Sequence, residues 1–152
     1  MTNDPNNNIE LTVDKFIFRF PKELLYSEAG LWIRREDSLI RIGLSDFAQQ
    51  RNGDIAFANL ESVGTVLDME DEIASIETVK VDFSLPSPVK GKIVEVNSIL
   101  EESPELINQE PYGRGWMALV RPENLEQNLG RLMTAEAYSA LARQQAEAEL
   151  KS

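Results

Sequence analysis

The sequence predicts a mainly β fold, a flattened barrel or sandwich with short peripheral helices and one C-terminal helix. Three observations predict it. Apolar runs of strand length are cut by turn residues at Asp68 to Asp71, at Pro86-Ser87-Pro88 and at Gly91, a spacing typical of all-β domains. Between Ala74 and Leu85 the apolar positions change parity: Ala74 and Ile76 are even, whereas Val79, Val81, Phe83 and Leu85 are odd. Side chains of a strand alternate between faces, so a change of phase demands a turn. Finally, Thr134 can cap a helix from Ala135 to about Leu150, with Tyr138, Leu141 and Ala142 as its buried stripe.

Taken in order, residues 1–10 are polar and Asn-rich and read as a disordered arm, because little apolar surface offsets the cost of ordering them. One domain follows over residues 11–142. Phe16, Phe18 and Phe20 alternate as in a short strand, and Pro21 opens a possible helical turn to Tyr26. Leu31 to Arg34 and Leu39 to Leu44 read as two strands around a polar turn. Ser45 and Gly53 are suited to start and stop a short helix carrying Phe47 and Ala48. Asp54 to Ala58 resumes as strand, and Val94 and Val96 continue the core pattern. Ser103-Pro104-Glu105 opens a short helix with Leu106 and Ile107. Trp116 to Val120 is the last strand, ended by Pro122. Residues 143–152 form a polar helical tail, expected to fray or to meet a partner.

A chain of 152 residues buries roughly 68–70% of its unfolded surface and needs no covalent staple. It contains no cysteine and no histidine, which removes thiol nucleophiles, Ser-His-Asp triads and thiolate or imidazole metal sites. A non-catalytic role, or chemistry supplied by an attached group, follows as the expectation. The net charge of -11 argues against nucleic acid and against anionic membrane surfaces as partners. No stretch is long and apolar enough for a membrane helix, and the polar start resembles no export signal, so the expected location is cytoplasmic.

The phase change places Lys80 at or beside the tip of a hairpin whose other face is buried. A lysine there either keeps a turn soluble or offers an amine to a modifying enzyme. The motifs Asp46-Phe47-Ala48-Gln49, Gly53-Asp54-Ile55, Glu77-Thr78-Val79-Lys80, Pro88-Val89-Lys90-Gly91 and Pro111-Tyr112-Gly113-Arg114-Gly115-Trp116 together resemble the glycine cleavage system H protein family, in register from about Leu25 to Leu141. The resemblance implies a lipoyl-domain (hybrid motif) barrel and a lipoate joined to Lys80 by an amide, with Glu77, Val79 and Val81 as the context read by the lipoate ligase or lipoyl transferase. Tethered in this way, a swinging arm meets its enzymes at an effective concentration of about millimolar.

The sequence departs from the family where the family shelters a charged aminomethyl group. Gly30 and Leu31 stand where it usually has His and Glu, Phe47 where it often has an aromatic residue or His, and Phe83 and Ser84 where it usually has Ser and an acid. The lost polar groups suggest a cargo other than a cation. The first expectation is therefore the family's lipoate-binding branch in sulfur oxidation, carrying a sulfur-containing intermediate, with a heterodisulfide-reductase-like complex and dihydrolipoamide dehydrogenase as partners. The alternative is a glycine cleavage H protein carrying aminomethyl between glycine decarboxylase and aminomethyltransferase.

Overall fold

The computed structural model describes residues 7–151. In chain order its strands and helices are β1 (Asn8–Val13), β2 (Phe16–Pro21), β3 (Leu25–Tyr26), β4 (Leu31–Glu36), β5 (Leu39–Leu44), α1 (Asp46–Asn52), β6 (Ile55–Leu60), β7 (Val66–Leu67), β8 (Glu72–Thr78), β9 (Asp82–Pro86), β10 (Gly91–Val96), α2 (Leu106–Gln109), β11 (Ala118–Pro122), α3 (Leu125–Leu129) and α4 (Ala135–Lys151). A six-stranded sheet in the order β3-β4-β5-β11-β10-β7 faces a three-stranded sheet, β6-β8-β9. Every pairing is antiparallel. Ile33, Ile40, Ile42, Ile93 and Val120 from the first sheet share one core with Ala58, Ile73, Ile76 and Leu85 from the second. Each of the larger aliphatic side chains contributes about 1.5–3 kcal/mol by leaving water. The expected mainly β sandwich with a C-terminal helix is thus the observed fold.

The change of phase around Lys80 has the expected cause. Ile76 pairs with Phe83 and Ala74 with Leu85 across β8 and β9, so even positions of one strand and odd positions of the other share the inner face. A second change of phase lies in β10. A bulge between Ile93 and Glu95 leaves Val94 as the extra, half-buried residue, whereas Ile93 lies in the core and Val96 packs against it, because an extra residue in one strand reverses its faces.

Residues 8–10, expected to belong to a disordered arm, lie instead in a strand. Residues 1–6 lie outside the described residues, but residues 8–10 belong to β1, which pairs residue for residue with β2 from Asn8↔Pro21 to Val13↔Phe16. Leu11, Val13, Phe18 and Phe20 are buried against Phe47, Tyr138, Ala142 and Ala146 in a second core. Asp14 makes the tight connection at φ 55°, a conformation that aspartate tolerates better than most residues. The expected helical turn from Pro21 to Tyr26 is instead a turn followed by β3.

The helical tail is also more firmly held than expected. Helix α4 runs unbroken to Lys151, capped by the Thr134 hydroxyl accepting from the Ala137 amide. Its buried stripe of Ala135, Tyr138 and Ala142 continues to Ala146, and Arg51 donates to Glu149 at 2.7 Å. The last turns therefore pack on this chain's own α1 and hairpin.

Candidate functional site

Lys80 sits at the tip of the β8–β9 hairpin and is exposed. The turn is closed largely by one side chain. The Thr78 hydroxyl donates to the Val81 carbonyl at 2.9 Å and accepts from the amides of Lys80 at 3.2 Å and Val81 at 3.0 Å. The Thr78 amide donates to the same Val81 carbonyl. Behind the turn, Ile76 and Leu85 are fully buried, so the tip stands on a fixed base. Among the described residues, the Lys80 ammonium has no ion pair and no hydrogen bond.

The other expected site residues surround it. Val79 is 87% exposed and Val81 44% exposed. Glu77 lies half-buried on the outer face, opposite Asp82 on β9 and beside Phe57 on β6. Two carboxylates facing each other cost stability, so this pair gives the base of the turn a local negative charge at some expense to the fold. Thr78 was not singled out from the sequence, although a threonine two residues before the tip is the usual signal for a side-chain-closed turn.

Removing that hydroxyl has a predictable effect. Thr78→Val should lower stability by about 1–2 kcal/mol, since each net hydrogen bond contributes about 1 kcal/mol. Its urea midpoint should fall, and amide exchange at Lys80 and Val81 should accelerate while Ile76 stays protected. Unchanged exchange at the tip would show that the turn does not depend on Thr78.

The geometry suits an amide-linked acyl group: an unpartnered amine, exposed, on a braced turn. The Lys80 side chain does not point straight outward. It leans towards α1, with its Cε 3.9 Å from where a Cβ would stand on Gly53. It lines a cavity of about 230 Å³ with Phe16, Phe18, Phe47, Ala146 and Leu150 among its walls. Phe47 is 1% exposed. Its ring takes an edge contact from Phe18 at 4.9 Å and a stacked Arg51 guanidinium at 5.3 Å.

Three of the departures that suggested a sulfur cargo, at Gly30, Leu31 and Phe47, have packing explanations here. Phe47 anchors the β1–β2 hairpin. Leu31 is wholly buried in the main core. Gly30 has φ 97°, and a Cβ there would lie 2.8 Å from Ala48 Cβ and 3.1 Å from the Tyr138 hydroxyl, so no larger residue fits. That hydroxyl shares a hydrogen bond with Ser45 at 3.1 Å. The Tyr112 hydroxyl donates to the Arg19 carbonyl and accepts from the Asp46 amide, tying β2 to α1. Burial pushes both phenols above their usual range, so each keeps its proton for these bonds.

Comparisons with known proteins show the family and the fold. The profile of the family described as Glycine cleavage H-protein matches residues 24–145. The chain is 44% identical over 120 residues to the glycine cleavage system H protein of Oceanobacillus iheyensis, covering 79% of this chain and 94% of that one. It is 43% identical over 121 residues to the protein of the same name from Geobacillus thermodenitrificans, covering 80% and 94%. The crystal structure of a glycine cleavage system H protein from Mycobacterium marinum matches with a TM-score of 0.74 at 30% identity, over 80% of this chain and 98% of that chain. These relatives favour the alternative stated from the sequence over the sulfur-oxidation reading, and they give no support to heterodisulfide-reductase-like partners. A profile spanning most of the chain, relatives above 40% identity and a shared fold show that this chain belongs to the glycine cleavage H-protein family.

Proposed function

We propose that this chain is a non-catalytic lipoyl carrier that holds its lipoate on Lys80 and transports the aminomethyl group of glycine cleavage. The observation that carries the reading is the unpartnered Lys80 amine at the tip of a turn braced by Thr78 and by the buried Ile76 and Leu85. Members of the family carry lipoate covalently, and its dithiolane supplies two sulfurs that open to a dithiol and accept a group. The protein's part is mechanical: Thr78 fixes the tip, the sheet behind it fixes the turn, and Glu77, Val79 and Val81 present the shape that a lipoate ligase or lipoyl transferase reads. Glycine decarboxylase and aminomethyltransferase are the partners on this reading. No cysteine is present to capture the arm.

The cargo is tested on the lipoylated chain. Incubation with glycine, glycine decarboxylase and pyridoxal phosphate should add one aminomethyl group to the arm, seen by intact mass. A fully lipoylated chain that gains nothing while an H protein of known activity is loaded beside it would overturn the assignment of cargo and reopen the sulfur reading.

A further inference from the structure

The outer face of the six-stranded sheet differs in charge from the chain as a whole. Ile33, Ile40, Ile42, Ile93 and Val120 point into the core. By alternation and register, Arg34, Glu36, Arg41, Lys92, Glu95 and Arg121 stand on the opposite face. Cations outnumber carboxylates there, although the net charge of the chain is -11. The cations also stand in like-charged pairs: Arg34 is opposite Arg41, and Lys92 is opposite Arg121. Like charges directly across two strands destabilise a sheet. The first pair is relieved locally. Arg41 donates to both Glu36 oxygens, at 2.6 and 3.0 Å, and lies over the Trp116 ring, while Arg34 donates to the Tyr112 carbonyl. The second pair is not. Lys92 and Arg121 are exposed and have no ion pair or hydrogen bond from their side chains among the described residues. Val66, 71% exposed, lies opposite Lys92 on β7, so apolar surface adjoins the two free charges.

From this arrangement we infer that Lys92 and Arg121 form a docking point for an acidic surface segment of an enzyme that serves the arm. The inference rests on the carrier reading of Lys80. A carboxylate-rich segment relieves a repulsion that the fold leaves standing, and complementary charge selects such a partner. The net charge of the chain repels a long polyanion such as nucleic acid. A short segment senses only charges within a Debye length, about 8–10 Å, and so responds to the local patch. The place of the patch gives it a use. The Lys80 hairpin belongs to the three-stranded sheet, β6-β8-β9, in the other layer of the sandwich, and packed sheets lie about 10 Å apart. A partner held at Lys92 and Arg121 therefore leaves the hairpin tip uncovered. The arm stays near that enzyme, at a raised effective concentration, while it swings.

The test uses the full chain, lipoylated, with Lys92→Glu and Arg121→Glu as separate variants. Each should raise the urea midpoint, because a repelling pair becomes an attracting one; a poorer carrier that is more stable cannot owe its defect to unfolding. Each should raise KM about tenfold for loading by glycine decarboxylase or for unloading by aminomethyltransferase, the effect of losing and reversing exposed ion pairs, with kcat unchanged. Added salt should raise the wild-type KM and leave that of the variants flat. By NMR, a hexaglutamate peptide should shift the wild-type amides of residues 66, 92 and 121, and a hexalysine peptide should not. A midpoint that does not rise removes the repulsion and overturns the inference. An unchanged KM with both enzymes overturns the docking point and leaves the carrier reading standing. A wild type that glycine decarboxylase cannot load overturns the assigned cargo instead. The docking point is then decided by the hexaglutamate shifts: their absence, or equal shifts from inorganic phosphate, overturns it.

Discussion

Lys80→Arg should abolish lipoylation, and with it all aminomethyl loading, while leaving the fold intact. Acylation requires a neutral amine as nucleophile; a lysine can shed its proton in an enzyme site, whereas a guanidinium stays protonated. The exposed Lys80 makes no ion pair among the described residues, so the stability change should stay within about 0.5 kcal/mol. The chain offers its own controls. Lys90 lies near Asp68 and Glu123, and Lys15 occupies the turn of the β1–β2 hairpin, the position most like that of Lys80. Intact mass and peptide mapping after incubation with ligase should find one adduct on the wild type, at Lys80, and none on the variant. An adduct on Lys15, or undiminished loading of Lys80→Arg, would refute the assignment.

Phe47→Ala is expected to cost about 3–5 kcal/mol, the range for truncating a buried phenylalanine. Its ring is almost fully buried, with Phe18 on one edge and Tyr138 within 6.3 Å. The loss should be uneven. Hydrogen bonds still join β2 to α1, the Arg19 amide donating to the Asp46 carboxylate and the Tyr112 hydroxyl bridging the Arg19 carbonyl and the Asp46 amide, but the apolar seal between hairpin and helix is gone. Amide protection over residues 8–21 should therefore drop further than protection in β8, and the urea midpoint should fall. A variant as stable as the wild type, with the hairpin equally protected, would show that Phe47 is not its anchor.

The sequence makes the two-sheet core readable because its apolar residues alternate from Ile40 to Leu44 in β5, at Ala74 and Ile76 in β8 and at Phe83 and Leu85 in β9, and because Ser45, Gly53 and Thr134 stand where helices begin and end. The position of Lys80 follows from the same alternation. Other parts were hidden for physical reasons. Strand β1 starts inside an Asn-rich polar run, and only Ile9, Leu11 and Val13 mark it; its burial depends on Phe47 and α4, which lie far away in the chain. The bulge at Val94 shifts the phase without a glycine or proline to announce it. The alanines of α4 look weakly apolar in sequence, yet Ala142 and Ala146 are buried because small side chains let the helix approach the hairpin. The cavity beside Lys80 has no sequence signature, since its walls come from four separate segments. The polar losses at Leu31 and Phe47 were visible, but their packing partners were not.

The Lys80 turn is fastened by the Thr78 hydroxyl, and none of residues 78–82 adopts a positive φ. No glycine or asparagine is therefore demanded there by backbone sterics. The three residues at the crown are conformationally unconstrained in type, so mutation can drift through them without harming folding. On the carrier reading proposed for Lys80, what limits their identity over evolutionary time is the taste of the enzymes that would grip this knuckle, and divergence at Val79 and Val81 would record a change of partners.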